Sequence, residues 1–397
     1  MILLRKSVIC VTYFAVLSGF MLASAFAGET IKIGVLLPLT GSNAKSGMIQ
    51  KNSVHMAVDE INAAGGIRGK KIEAVIADTQ GRSDVGRRAI QQLITHDEVL
   101  LIGGGFLSSV TWATISIAQQ KKRAFLVNSA TADKITEQKW DYIFRLNQPL
   151  SEHLDTFASF IKMVATDIKS IAIVHAKSLK SSSDARRFFK KADAMGLKMV
   201  IKESFENGAD DFRPLLARVK IKNPDLLYMV TDDASDAALL ARNSKELNLN
   251  PKLFFGGPAG FALPEFTKNA GSASNFVVCT TQWMPSVPYP GAGEYHKKFK
   301  ARYHTQATDH AAQAYAAIYV VADALKRTKV LAPENVRDEL AKTHMQTIYG
   351  PVKFISYNKK SRQNRLPTYL MQWIDGNAEI VWPRHLATKQ AVYPMPK

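Results

Sequence analysis

Residues 103–111 read Gly-Gly-Gly-Phe-Leu-Ser-Ser-Val-Thr, the segment of the chain best suited to holding an anion. It follows the apolar run 99–102 and leads into a helical pattern over 111–120. Glycines let the backbone turn tightly, and Ser108, Ser109 and Thr111 stand where the helix begins. N–H groups and hydroxyls at a helix N-terminus form a site for a carboxylate or phosphate. The same residue types also serve as ordinary N-caps. Residues 128–131, Asn-Ser-Ala-Thr, follow the next apolar run, so Ser129 and Thr131 can donate to the same anion. Asp232 and Asp233 follow the apolar run 226–230. An acid there either takes a ligand's ammonium or caps the next helix.

Other chemistries lack their residues. The glycine loop is one residue short of a dinucleotide fingerprint, with Ser108 in the third glycine's place, and no acid ends the following strand. There is no G-x-S-x-G elbow and no H-E-x-x-H. The nine histidines are scattered; His304 and His310 are the closest late pair. No catalytic residues, no metal ligands and no cofactor are therefore expected. The +18 charge suits an anionic partner, but the basic residues are spread along the chain without zinc-finger or RNP-like motifs. Nucleic acid is not the expected partner.

The elements that position these loops follow from periodicity. Residues 31–37 form an apolar run ending at Pro38, the pattern of a buried parallel strand. Helical spacing over 48–63 stops at Gly65-Gly66. Strand patterns at 71–78, 99–102 and 124–127 alternate with helical ones at 85–94 and 111–120. The alternation restarts after residues 142–146. Helices are expected at 154–164 and 185–195, and strands at 171–174, 198–201, 226–230 and 253–255. Such βαβα order predicts an α/β protein with doubly wound parallel sheets covered by helices on both faces. Helices at 294–303 and 311–326 and strands at 367–373 and 379–382 complete the chain.

The N-terminus predicts where the protein works. Arg5 and Lys6, the apolar stretch 8–23 and Ala25-Phe26-Ala27 form a secretory signal peptide, cut after Ala27. About 370 residues then remain, enough for two domains. Arg5 and Lys6 are two of the 52 basic residues, so 50 basic against 34 acidic residues leave +16. No later segment reaches about 18 uninterrupted apolar residues, so no membrane span is expected in the mature chain. Cys279 is then the remaining cysteine, without a disulfide partner, inside the apolar run 276–279. The expected product is a soluble, periplasmic, monomeric protein. No pool of ATP or NAD exists there, which argues against kinase and dehydrogenase functions.

Taken in order, these residues resemble a known family. The segments are Ile31-Lys32-Ile33-Gly34-Val35-Leu36-Leu37-Pro38-Leu39-Thr40-Gly41, the stretch from Ala57-Val58-Asp59-Glu60-Ile61-Asn62 to Gly65-Gly66-Ile67-Arg68-Gly69-Lys70, the serine loop, and Ser129-Ala130-Thr131. Asp211-Phe212, Tyr349-Gly350-Pro351-Val352-Lys353-Phe354 and Gln372-Trp373 follow. Together they resemble the periplasmic solute-binding proteins of ABC transporters, branched-chain amino acid (leucine/isoleucine/valine) type. The resemblance implies the type I periplasmic-binding fold: two lobes, three hinge crossovers and a ligand clamped between. Lobe 1 would comprise 28–146 plus 284–350, and lobe 2 147–283 plus 351–397. It further implies that the ligand carboxylate is held by Ser108, with Ser109 beside it, and by Thr131, with backbone from Ala130.

This chain departs from the family pattern elsewhere. The turn that often carries an ammonium-binding acid reads Gly257-Pro258-Ala259-Gly260, without the acid, and Asp232 lies near the family's other ammonium-side position. Lys180 and Ser46 stand where aromatics are usual. The ligand is thus expected to be a small carboxylate: a hydrophobic amino acid using Asp232, or an aromatic or organic acid. Delivery to an ABC permease in the inner membrane is the expected role. The alternatives are a sensing module of the same fold reporting to a membrane receptor, or a degenerate binder with a changed ligand. Phe106, Trp112, Phe261, Trp283 and His310 are candidate wall residues.

Overall fold

The computed structural model describes residues 30–231 and 233–396. The expected signal peptide and Asp232 lie outside the described residues. The first α/β unit contains β1 (Ile31–Leu37), β2 (Ile72–Asp78), β3 (Leu101–Gly104), β4 (Ala124–Val127) and β5 (Ile143–Arg145). The second contains β6 (Ser170–Ala176), β7 (Lys198–Phe205), β8 (Leu226–Val230), β9 (Leu253–Gly256) and β10 (Val278–Thr281). Five more strands follow: β11 (His344–Thr347), β12 (Gly350–Tyr357), β13 (Lys360–Asn364), β14 (Tyr369–Ile374) and β15 (Asn377–Trp382).

They form two sheets, ordered β11-β12-β13-β5-β4-β3-β1-β2 and β15-β14-β10-β9-β8-β6-β7. Within each, the strands of the α/β unit pair in parallel. The added strands form antiparallel extensions, and β13 joins its sheet in parallel with β5. The two sheets are the cores of two lobes, as expected. Helices Ala44–Ala63 and Asp309–Arg327 pack together on the first sheet, so the chain returns to that lobe after β10. Continuous burial of β3, β4, β8 and β9 accounts for their unbroken apolar sequences.

Sheet membership corrects one expected boundary. The third crossover was expected at residues 350–351, but β12 and β13 belong to the first sheet. Gln363 is the reason: it registers with Arg145 of β5, and its Oε1 accepts from Arg145 Nε at 2.6 Å. The chain therefore changes sheets between Asn364 and Tyr369, not before Pro351. The three strands β11–β13 were also missed as elements. β11 and β12 are half-exposed, and β13 is polar, Lys-Ser-Arg-Gln-Asn, though mostly buried, so no apolar run marks them.

Candidate functional site

Both sheets have a topological switch point, where strand order reverses: between β1 and β3 in the first, and between β6 and β8 in the second. In doubly wound sheets, ligands bind beyond the carboxyl ends of strands at such points. The serine loop follows β3. Gly104 has φ +105°, and a Cβ there would lie 2.3 Å from the carbonyl oxygen of Leu36 on β1. Only glycine allows that approach, which starts the loop.

Ser108 is the first residue of helix Ser108–Gln120 and is half-buried. The N-cap is Leu107, without a side-chain capping bond, so Ser108 is not acting as the cap. Its Oγ instead accepts from Ala132 N–H at 3.2 Å, tying the serine loop to the loop after β4. Ser109 is exposed. Thr131 is half-buried, and its carbonyl accepts from Leu150 N–H at 2.9 Å at the start of the second lobe. Ala130 differs from expectation: its N–H donates to Gly105 O at 2.9 Å and its carbonyl accepts from Asn147 Nδ2 at 3.2 Å. Its backbone donor is thus engaged in holding two loops together, and Ser108 and Thr131 remain as hydroxyls beside the site.

Ser129 is buried beneath this surface, with its hydroxyl bonding Gln50 Oε1 at 3.2 Å and Gln313 Oε1 at 3.0 Å. It braces the floor of the site. Gln313 Nε2 donates to Tyr349 Oη at 3.3 Å, and that hydroxyl donates to Gln282 Oε1 at 2.7 Å. Gln282 Oε1 also accepts from Gln148 N–H at 2.7 Å, and Gln363 Nε2 donates to Asn147 O at 2.8 Å. One buried amide network therefore links the three inter-lobe crossovers to the floor. Sequence reasoning missed it, because lone glutamines carry no periodic signal.

The remaining expected residues divide, with Ser46 reaching the floor through Gln50 and Lys180 engaged on its own helix. Ser46 is half-buried in the first turn of helix Ala44–Ala63, where its carbonyl accepts from Gln50 Nε2 at 3.4 Å. Lys180 is exposed, with its Nζ 3.6 Å from Asp184 one turn along its own helix. Asp233 caps helix Ala234–Glu246 by accepting from Ser235 N–H and Asp236 N–H, the capping alternative noted for that position. Among the wall candidates, Phe106 and His310 meet edge to face with centroids 5.0 Å apart. Phe261 and Trp283 are core residues, and Trp112 stacks on Trp140 at 5.5 Å. His304 ends helix Ala292–Tyr303 in a left-handed conformation, apart from His310.

Two features were not anticipated. Lys45, at the start of the first lobe's helix Ala44–Ala63, donates to Glu265 on the second lobe's helix Pro264–Ala270. His153, on helix Leu150–Met163, is buried with neither ring nitrogen partnered. Desolvation is the main cause of its low basicity, which falls to about 4, and the charges of Asp309 and Asp133 oppose it. Among the described residues, no group of three or more His, Cys, Asp or Glu is placed to hold a metal ion. No helix among them is long and apolar enough to cross a membrane.

Two facing α/β lobes, with crossovers tied by a buried network and loops gathered at the strand ends, define a ligand-clamping binding protein. The periplasmic binding protein family model matches residues 30–378, and the chain belongs to that family. A relative is the leucine-, isoleucine-, valine-, threonine- and alanine-binding protein of Pseudomonas aeruginosa, 28% identical over 337 residues, covering 83% of this chain and 87% of the relative. The branched-chain amino acid transporter substrate binding protein LivJ of Streptococcus pneumoniae, solved with isoleucine, matches with a TM-score of 0.78. It is 24% identical, with 89% of this chain and 100% of that one covered. A solute binding protein of an ABC transporter from Rhodopseudomonas palustris, solved with 3,4-dihydroxybenzoic acid, matches with a TM-score of 0.75 at 22% identity, with 92% and 98% covered.

Proposed function

We propose that this protein is an extracytoplasmic receptor that closes on a small carboxylate-bearing solute and delivers it to an ABC permease. The observation that carries this reading is Ser108 at the helix N-terminus after β3, its hydroxyl tied to Ala132, the neighbour of Thr131, beside the β1/β3 switch point. Hydroxyls and the helix dipole favour a carboxylate there. Thr131 and Leu150 join this corner to the second lobe, so ligand contacts made from both sides favour the closed arrangement. The amino acid and aromatic acid named for the relatives both carry a carboxylate, which supports the shared chemistry.

The test is a thermal-shift screen of the mature protein, free of carried-over ligand, against amino acids, their deaminated counterparts, aromatic acids and dicarboxylates. A ligand at a hundred times its Kd stabilises by about 2.7 kcal/mol. Ser108→Ala is expected to weaken the hit by about tenfold to a hundredfold, the loss of a hydrogen bond to a charged group. A folded protein that no carboxylate stabilises would refute the reading.

A further inference from the structure

Between Glu339 and Asp375 the chain carries no acidic residue. That span builds β11–β13, the strands at one edge of the first sheet. In β12, buried Val352 and Phe354 alternate with exposed Pro351 and Lys353. Phe354 registers with Asn364, so Lys353 and Arg365 are neighbours at the next position. The Arg365 guanidinium lies 4.8 Å and the Lys360 ammonium 5.9 Å from the centre of the Tyr357 ring. Lys359 is exposed in the turn between β12 and β13.

This basic edge continues onto the second lobe. Lys360 Nζ lies 3.1 Å from Asp133, and Asp133 forms one wall of a hollow of about 340 Å³. The other walls come from helices Leu150–Met163 and Leu179–Ala194. Arg187, Lys190 and Lys191 line it at the i, i+3, i+4 spacing that puts them on one helix face. Of the two acids in the lining, Asp133 is paired with Lys360 and Asp155 with Lys191. Arg187 and Lys190, like Lys353, Lys359 and Arg365, have no ion-pair partner among the described residues. Glu137 and Glu152 lie near enough to act on the buried Arg145, and the unpaired cations outnumber them.

The exposed large apolar side chains among the described residues are Met48, Met163, Ile221 and Val330, none of them on β11–β13 or on helix Leu179–Ala194. Protein interfaces are built round an apolar, aromatic core, which this surface lacks. Lysines and arginines without such a core suit an array of phosphates, whose attraction adds up residue by residue. We propose that the surface joining β12 and β13 to helix Leu179–Ala194 docks the protein on anionic phospholipid headgroups, with the hollow beside Asp133 taking one headgroup phosphate. The partner is a bilayer surface, so the inference stands apart from the carboxylate reading.

The experiment is co-sedimentation of the mature protein with vesicles of phosphatidylglycerol and phosphatidylcholine in equal parts, and with phosphatidylcholine alone. Two pairs of substitutions test the surface, Arg187→Glu with Lys190→Glu and Lys353→Glu with Arg365→Glu. A control pair, Lys297→Glu with Lys300→Glu on helix Ala292–Tyr303, reverses the same charge at other exposed positions. Thermal melting checks that each variant is folded. Binding is expected to the mixed vesicles alone and should weaken as salt screens it. Either surface pair should weaken it about tenfold or more, and the control pair about twofold. Equal losses from surface and control pairs would mean a response to net charge and overturn the proposal. So would wild-type protein left in the supernatant by the mixed vesicles at low salt. Binding to soluble polyglutamate that the vesicles do not displace would give the surface to an acidic protein and overturn it as well.

Discussion

Lys45 and Glu265 form an ion pair between the two lobes, joining the segment that follows β1 to the segment that follows β9. Both segments lie at carboxyl ends of their strands, the side on which doubly wound sheets bind ligands. Partly exposed pairs are worth about 0–1 kcal/mol. Lys45→Ala or Glu265→Ala should therefore weaken ligand binding only about two- to fivefold. The exchanged pair, Lys45→Glu with Glu265→Lys, should restore most of the affinity. If the exchanged pair binds no better than Lys45→Glu alone, this contact does not contribute to closure.

The same pair gives a pH dependence. Burial raises the Glu265 carboxyl, but the hydrogen bond and charge of Lys45 more than offset it and hold it below its ordinary value. Its contribution is therefore complete above the ordinary glutamate range and is lost as pH falls through the lowered value. Ligand affinity of the wild type should fall on that acid limb more than that of Glu265→Gln, as titrations across the range would read.

His153 predicts a second acid effect, on folding. Above pH 6.5 the imidazole is neutral in both folded and unfolded chains. Below it the unfolded chain takes up a proton that burial denies the folded one until about pH 4. Stability should fall over that window by about 3 kcal/mol in total. Urea unfolding at several pH values should show a shallower acid slope for His153→Gln, whatever its stability at pH 7. An identical slope in the two proteins would contradict a buried, neutral His153.

Gly104 predicts a packing effect. A Cβ there meets the Leu36 backbone, so Gly104→Ala should cost about 3 kcal/mol. Gly196 also has a positive φ, +76°, but nothing lies within 4 Å of the added atom. Gly196→Ala should cost only about 1 kcal/mol, from conformation alone. Equal losses of Tm in the two variants would show that the β1–β3 approach is not limiting.

Cys279 is fully buried on β10, and burial pushes its thiol well above the ordinary range. Ellman's reagent should leave it unreacted in the native protein and modify it on unfolding. Rapid labelling of folded protein would place the thiol at the surface instead.

Periodicity alone determined the two α/β units, because a parallel strand covered on both faces must be almost wholly apolar, as 124–127 and 226–230 are and as 31–37 is apart from the exposed Lys32. Glycines and hydroxyls likewise marked the loops after β3 and β4, because backbone approach and helix ends demand those residue types. What only tertiary structure decided depends on pairings far apart in the chain. Gln363 beside Arg145 assigns β12 and β13 to the first lobe; Asn147 and Gly105 engage the backbone of Ala130. Lys45 meets Glu265 across a separation that no local pattern encodes. A single polar residue has no periodicity, so its role is set by the partner that folding brings to it.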